Sequence, residues 1–236
     1  MKAIILAGGK GKRLAPFTVT VPKPLLPLGD KSILEIIIGQ LNEAEITDIK
    51  LAVGYSAELI EAYFGNGRKF GVPISYLRED SPLGTAGPIW KMRKEKEDFI
   101  VMNGDVLASV DFGDLMRSHK RSKAVATICA YLKRTKSSLG VIESDEKGFL
   151  MDYHEKPELS HKVSTGIYCL NPKAARYIKK GERVDLPELM LRLVAAGEKV
   201  KVYDLKGRWF DIGTPSDYRD AVEYWEKRNK RKKRKK

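Results

Sequence analysis

Apolar residues recur along the first half of the chain in two alternating patterns. Short, mainly apolar runs fall at Ala3-Ile4-Ile5-Leu6-Ala7 and at residues 49–53, 72–77 and 98–102. Runs of this length, rich in Ile and Val, read as strands buried on both faces. Between them the spacing changes to that of amphipathic helices. Ser32 is placed to cap a helix carrying Ile33, Leu34, Ile36, Ile37, Gln40, Leu41 and Ala44. Residues 57–64 form a second helix, stopped by Gly65-Asn66-Gly67, and residues 85–94 a third. Strands that alternate with helices predict a parallel sheet with crossover helices.

The pattern then loosens. Asp111 caps a helix over 112–121, and 124–132 reads as a strand. Short strands at 139–144 and 149–155 are joined by Asp145-Glu146-Lys147-Gly148, a hairpin signal. A strand at 162–170, helices at 172–178 and 185–195, a strand at 200–205 and a helix from Pro215 to about 228 complete the chain. The expected fold is α/β: a Rossmann-like, mixed but mainly parallel sheet with flanking helices, in a single domain over 1–226. There is no linker-like stretch before residue 227 and no internal repeat.

Composition refines this. With 236 residues, 42% hydrophobic and 32% charged, the chain has enough material for a sizeable core under a well-charged surface. The net charge of +13 is concentrated: residues 227–236, KRNKRKKRKK, hold nine positive charges, leaving only +4 for residues 1–226. A body so near neutral argues against a nucleic-acid-binding fold. Only the tail, expected to be unstructured and solvated, is suited to contact RNA, DNA or acidic membrane. Cys129 and Cys169 have no metal-ligand or disulfide spacing, which fits a reducing cytoplasm, and His119, His154 and His161 are scattered. No apolar run is long enough to span a membrane, and the amino-terminal run is too short for a signal peptide.

Candidate chemistry begins where the first strand ends, in Gly8-Gly9-Lys10-Gly11-Lys12-Arg13, followed by a second basic cluster, Val21-Pro22-Lys23-Pro24-Leu25. Ligands of open α/β sheets bind at the carboxyl ends of the strands, and glycines there let backbone approach closely. Lys10, Lys12 and Arg13 suggest a polyphosphate. The loop is not a dinucleotide fingerprint, because Leu14 stands where the third glycine belongs. It is not a P-loop either, because Leu6 stands where the first glycine belongs and Arg13 where Ser or Thr does. By itself it is compatible with a glycine turn bearing solvated lysines.

Further along, Asp105 follows an apolar strand in Asn103-Gly104-Asp105, and Asp211 stands in Trp209-Phe210-Asp211-Ile212-Gly213. Two carboxylates near a basic loop suit Mg²⁺ shared between protein and phosphate oxygens, although each also fits a cap or a turn. Glu155-Lys156-Pro157 places a lysine at a strand end. The hydroxyls of Ser164-Thr165-Gly166 suit a polyol.

Taken in order, Gly8-Gly9-x-Gly11-x-Arg13-Leu14, Pro22-Lys23-Pro24-Leu25-Leu26, Leu83-Gly84-Thr85-Ala86-Gly87, Gly104-Asp105, Glu155-Lys156-Pro157, Thr165-Gly166-Ile167-Tyr168 and Trp209-x-Asp211-Ile212-Gly213-Thr214-Pro215 resemble the sugar-1-phosphate nucleotidylyltransferases, or NDP-sugar pyrophosphorylases. The resemblance covers about residues 2 to 225. The wording around Pro82-Leu83-Gly84-Thr85-Ala86-Gly87-Pro88 is most like the mannose-1-phosphate guanylyltransferase branch. It implies a nucleotide site at Leu6, Ala7, Gly8, Gly9, Gly11, Glu79, Gly84 and Thr85, with Arg13 on the β and γ phosphates and Lys23 on the triphosphate and departing pyrophosphate. Lys156 would orient the sugar phosphate, Asp105 and Asp211 would hold Mg²⁺, and Gly140, Glu155, Thr165 and Gly166 would lie along the sugar. Attack by an already ionised sugar phosphate on the α-phosphorus needs charge neutralisation and in-line placement rather than a general base, so no catalytic histidine is expected.

Glu79, five residues before Gly84, stands where relatives that use uracil or thymine typically carry glutamine. A carboxylate only accepts hydrogen bonds, and guanine offers two adjacent donors, so GTP is the expected nucleotide. Mannose-1-phosphate is the first candidate for the sugar, followed by heptose-1-phosphate with a guanylyl donor or glucose-1-phosphate with a uridylyl or thymidylyl donor. Phosphocholine and N-acetylmuramate phosphate stay open. Two departures bear on the assignment: Ser164 replaces an asparagine common in relatives, and Lys12 replaces a small polar residue. A nucleotide-sugar-sensing regulatory subunit is the non-enzymatic alternative, against which Arg13, Lys23, Asp105 and Asp211 are all present. A homo-oligomer is compatible with these features.

Overall fold

In the computed structural model, which describes residues 1–233, seven strands form one sheet. Their order across the sheet is Val200–Asp204, Ala126–Lys136, Glu158–Leu170, Phe99–Asn103, Lys2–Leu6, Asp48–Val53 and Ile74–Arg78. Every neighbouring pair is parallel except the two made by Glu158–Leu170, which runs against the other six. Lys2–Leu6 is paired on one side with Asp48–Val53 and on the other with Phe99–Asn103, so the chain reverses its direction of travel across the sheet at this strand. Leu6, Val53, Arg78 and Asn103 therefore end on one edge, at the switch point where open α/β sheets bind ligands.

The period of two within a strand sorts the core into layers. Ala3 and Ile5 face one cluster, with Ile33, Ile37, Leu41 and Leu115, while Ile4 faces the other, with Ile89, Phe99, Val101 and Leu189. Helix Ile33–Glu43 is fixed by a capping box: Glu35 N–H donates to Ser32 Oγ at 3.2 Å, and Ser32 N–H to Glu35 Oε2 at 2.6 Å. Among the described residues three small ribbons supplement the sheet, Val141–Ser144 with Leu150–His154, Val106–Ala108 with Trp209–Asp211, and Pro27–Leu28 with Lys31–Ser32.

Three elements differ from the sequence reading. The expected helix over 85–94 is a 3₁₀ turn, Gly87–Met92, because Gly87-Pro88 fits tightly under Leu83 and does not start a full α-helix. Pro172–Tyr177 is also 3₁₀ rather than α. The last helix, Pro215–Lys233, runs past 228 into the segment expected to be unstructured, as good helix formers such as Lys and Arg allow, with Lys227 paired to Glu223 one turn back. The rest of that segment, 234–236, lies outside the described residues. Among the described residues no helix is long and apolar enough to cross a membrane.

Candidate active site

The glycine loop leaves the first strand and folds back over its end. Gly11 is left-handed (φ +61°) and pressed against Thr18, whose hydroxyl donates to the Gly11 carbonyl at 2.8 Å. A Cβ at Gly11 would stand 3.0 Å from Thr18 Cγ2 and 3.3 Å from Lys23 Cβ in a left-handed backbone, which favours glycine. Lys23 opens the short 3₁₀ turn Lys23–Leu25 between two prolines and is 8% exposed, an unusual burial for a lysine. It is compensated by Asp105, whose Oδ2 accepts a hydrogen bond from Lys23 Nζ.

Asp105 is positioned by Gly104, which donates its N–H to the Leu6 carbonyl at 2.8 Å and has no room for a Cβ there. Asp211 arrives from the far end of the chain. The antiparallel pairing of Trp209–Asp211 with Val106–Ala108 sets Asp211 opposite Val106, and Ile212 N–H donates to the Asp105 carbonyl at 3.2 Å. Burial and then the neighbouring Asp105 charge push the Asp211 carboxyl above the usual range, with Lys23 and Arg13 opposing. Arg13 lies beside Gly213, and together with Lys12, Lys23 and Asp105 it lines a pocket of about 250 Å³.

A second cavity, of about 670 Å³, adjoins it, with Leu6, Gly9 and Asp105 lining both. Its far wall includes Tyr55, Leu83, Gly84, Pro88 and Glu79. Glu79 Oε1 is buried without a hydrogen-bond partner among the described residues, and burial raises the carboxyl, opposed by a backbone hydrogen bond from Leu83 and the Lys91 charge. Gly8 packs beside this carboxylate, where a Cβ would lie 3.2 Å from Glu79 Oε2. Gly84 is left-handed (φ +74°) and fits against Val184, whose carbonyl would stand 2.5 Å from a Cβ. The Thr85 hydroxyl is engaged within the fold: it donates to Asp185 Oδ1 at 3.2 Å and accepts from Leu186 N–H at 2.8 Å. Thr85 thus ties the loop to the start of helix Leu186–Ala195, while the residue still lines the cavity.

The residues expected along the sugar divide into two groups. Gly140, Glu155 and Lys156 gather around Tyr153: the Tyr153 hydroxyl donates to Glu155 Oε2 at 3.1 Å, and a Cβ on Gly140 would overlap that hydroxyl. Lys156 Nζ is 3.7 Å from Glu155 Oε1, and Lys156 itself is left-handed (φ +46°), a strained state for a non-glycine residue before proline. None of these three lines the two cavities above. Thr165 is 1% exposed and its hydroxyl donates to the Cys129 carbonyl at 2.8 Å, which corrects the expectation that this hydroxyl meets a polyol. Ser164 Oγ is 2.8 Å from the Tyr168 hydroxyl.

Gly166 clears space for a residue the sequence reading passed over. A Cβ at Gly166 would lie 2.6 Å from Asn103 Nδ2, and Asn103 lines the larger cavity with a buried Oδ1 that has no hydrogen-bond partner among the described residues. The signal was available: a polar residue closing an apolar strand, directly before Gly104-Asp105.

The Asp105–Asp211 pair fits a hard divalent cation. Asp105 Oδ1 is buried with no partner among the described residues, and the Asp211 carboxyl is raised first by burial and then by the Asp105 charge. Among the described residues no group of three His, Cys, Asp or Glu side chains is suited to hold a metal, so phosphate oxygens or water would complete the coordination of a cation here.

A family model described as nucleotidyl transferase matches residues 2–228. The chain is 34% identical over 242 residues to a UTP–glucose-1-phosphate uridylyltransferase of Synechocystis, covering 94% of this chain and 62% of that protein. It is 38% identical over 231 residues to a mannose-1-phosphate guanyltransferase of Yarrowia lipolytica, covering 92% of this chain and again 62% of the relative. The chain thus spans less than two thirds of either relative's length. A solved Bacillus anthracis structure, assigned as a glucose-1-phosphate thymidylyltransferase and in complex with sucrose, superposes with a TM-score of 0.77 at 26% identity, over 95% of both chains. The match spans nearly the whole chain, and the glycine loop, Lys23, Gly84, Thr85 and Asp105 line two adjoining cavities: the chain belongs to the nucleotidyl transferase family, among the sugar-1-phosphate nucleotidylyltransferases.

Proposed function

We propose that this chain joins a sugar-1-phosphate to a nucleoside triphosphate, releasing pyrophosphate, with GTP and mannose-1-phosphate as the preferred pair. The observation that carries the reading is the place of Asp105. It lines both the larger cavity and the cationic pocket, and carries a buried carboxylate oxygen that has no partner among the described residues.

Arg13 and Lys23 bind the β and γ phosphates and stabilise the charge of the departing pyrophosphate. The glycine loop admits the triphosphate backbone-close, and Lys156 orients the sugar phosphate. An ionised oxygen of the sugar phosphate attacks the α-phosphorus, and the bond from that phosphorus to the α–β bridging oxygen breaks. Pyrophosphate leaves with that electron pair, and no proton has to move. Mg²⁺ held by Asp105 and Asp211 with phosphate oxygens would supply further neutralisation of the triphosphate charge.

Guanine selection rests on Glu79. Its half-buried carboxylate, whose Oε1 has no partner among the described residues, supports pairing with the two adjacent donors of guanine, N1–H and the exocyclic amine. A pyrophosphate-release screen of sugar phosphates against GTP, UTP, dTTP, CTP and ATP tests the reading. Release should be greatest with GTP and mannose-1-phosphate, and Glu79→Gln should move the preference toward UTP or dTTP. An unchanged preference would remove Glu79 from base selection. Glucose-1-phosphate with UTP or dTTP is the second reading, favoured by the uridylyltransferase relative.

A further inference from the structure

The larger cavity has an aromatic residue that the transfer chemistry does not use. Tyr55 lines the same wall as Glu79 and is 42% exposed, so surface that an aromatic side chain normally buries is left on the cavity wall. Its backbone is well fixed. Tyr55 N–H donates to the Gly8 carbonyl at 3.3 Å. Val53 and Arg78 pair in register, and Glu79 N–H donates to the Val53 carbonyl at 3.1 Å. Tyr55 and Glu79 are therefore rooted side by side, just past two neighbouring strand ends.

The turn that carries Tyr55 is held in a costly shape. Ser56 is left-handed (φ +55°), an unfavourable state for a residue with a Cβ. Although Ser56 stands at the start of helix Ala57–Phe64, its side chain makes no capping bond there. Helix initiation thus gains nothing from this backbone, whose result is to set Tyr55 on the cavity wall.

The chemistry of the wall decides what the ring can take. Tyr55, Leu83 and Pro88 make it apolar, and Glu79 supplies a carboxylate. A flat molecule with apolar faces and hydrogen-bond donors on its edge fits this combination. A sugar, with hydroxyls all round its ring, would leave most of them against apolar groups. Lys10 Nζ lies over the Tyr55 ring, 5.8 Å from its centroid, at the outer reach of a cation–π attraction. That contact is weaker than the stacking of a base on an aromatic ring, so it does not keep a base off.

We infer that Tyr55 is the stacking platform for the nucleobase, with the face of the base on the Tyr55 ring and its edge on Glu79. A purine covers more of the ring than a pyrimidine does. Tyr55 therefore favours GTP over UTP by contact area, while Glu79 separates guanine from adenine by donor pattern. The inference rests on the proposed place of the nucleoside in this cavity and is independent of the sugar.

Calorimetric titration tests it without turnover. GTP, UTP and inorganic tripolyphosphate are each titrated, with Mg²⁺ and no sugar phosphate, into wild type, Tyr55→Leu and Tyr55→Phe. Tyr55→Leu should weaken GTP roughly tenfold and UTP less, the scale of one base stacked on an aromatic ring. Tripolyphosphate, which has no base, should bind Tyr55→Leu as it binds wild type. Tyr55→Phe keeps the ring and should bind all three as wild type does. Unaltered GTP affinity in Tyr55→Leu would overturn the stacking role, as would an equal loss in Tyr55→Leu and Tyr55→Phe. An equal loss for tripolyphosphate, the mark of a displaced loop, would overturn it too. Failure of the guanine reading looks different: wild type would bind UTP more tightly than GTP. The purine preference would fall with it, and the stacking role would stand only if Tyr55→Leu weakened UTP.

Discussion

Lys23 and Asp105, 82 residues apart in the chain, are joined through Nζ and Oδ2, while the other oxygen of the same carboxylate, Oδ1, is buried with no partner among the described residues. One oxygen satisfies a buried lysine and the other is poised for a ligand. Asp105→Asn should therefore disturb both. Loss of about 10²–10³ in turnover is expected, the range for removing one preorganised charge-stabilising group. Asp211→Asn should fall in the same range, and chelation by EDTA should abolish pyrophosphate release until Mg²⁺ is restored.

Stability should respond in the opposite direction. The Asp211 and Glu79 carboxyls are both raised in the folded chain, mainly by burial. A raised carboxyl contributes stability that is full below the unfolded value near 4 and is lost as pH rises through the folded value. Asp211→Asn and Glu79→Gln should thus raise the Tm at pH 7 while lowering turnover or changing base preference. The Tm advantage should vanish as the pH falls below about 4. A lower Tm for both variants at pH 7 would contradict this origin of the shifts.

How much of this was legible in the sequence differs from residue to residue. Gly8, Gly11 and Asp105 could be placed because each stands at the end of an apolar run, and in a parallel sheet all such ends share one edge. The same holds for Glu79. Asp211 could be suspected but not located, since its position depends on the pairing of Trp209–Asp211 with Val106–Ala108, across some hundred residues. The hydroxyl bonds of Thr85 and Thr165 were out of reach for a related reason. Their hydroxyl partners, Asp185, Leu186 and the Cys129 carbonyl, come from distant segments that no local pattern reveals. The hairpin over 139–155 was read correctly, but its lack of buried residues is a tertiary property.

Thr165→Val separates a structural hydroxyl from a substrate-binding one. It should cost about 1 kcal/mol of stability, the usual net value of one hydrogen bond, and leave the KM for the sugar phosphate unchanged. Denaturant titration and initial-rate kinetics on the same preparation check both. A severalfold rise in that KM without loss of stability would return Thr165 to the sugar site.

Lys12, which replaces a small polar residue of relatives, is exposed on the wall of the pocket that holds Arg13 and Lys23. Lys12→Ser should weaken inorganic pyrophosphate binding by about fivefold, the equivalent of the ~1 kcal/mol between unit charges near 4 Å in water. The difference should shrink with added salt. Calorimetric titration of pyrophosphate at two ionic strengths reads it directly, and equal affinity in both proteins would exclude Lys12 from the phosphate site.

The most direct measurement follows the α-phosphate itself. GTP labelled at that phosphate is incubated with mannose-1-phosphate, Mg²⁺ and the enzyme, and the products are separated. The label should appear in the nucleotide sugar, mole for mole with unlabelled pyrophosphate. Label recovered in GDP or GMP, or left wholly in GTP for every sugar phosphate and nucleotide offered, would contradict nucleotidyl transfer.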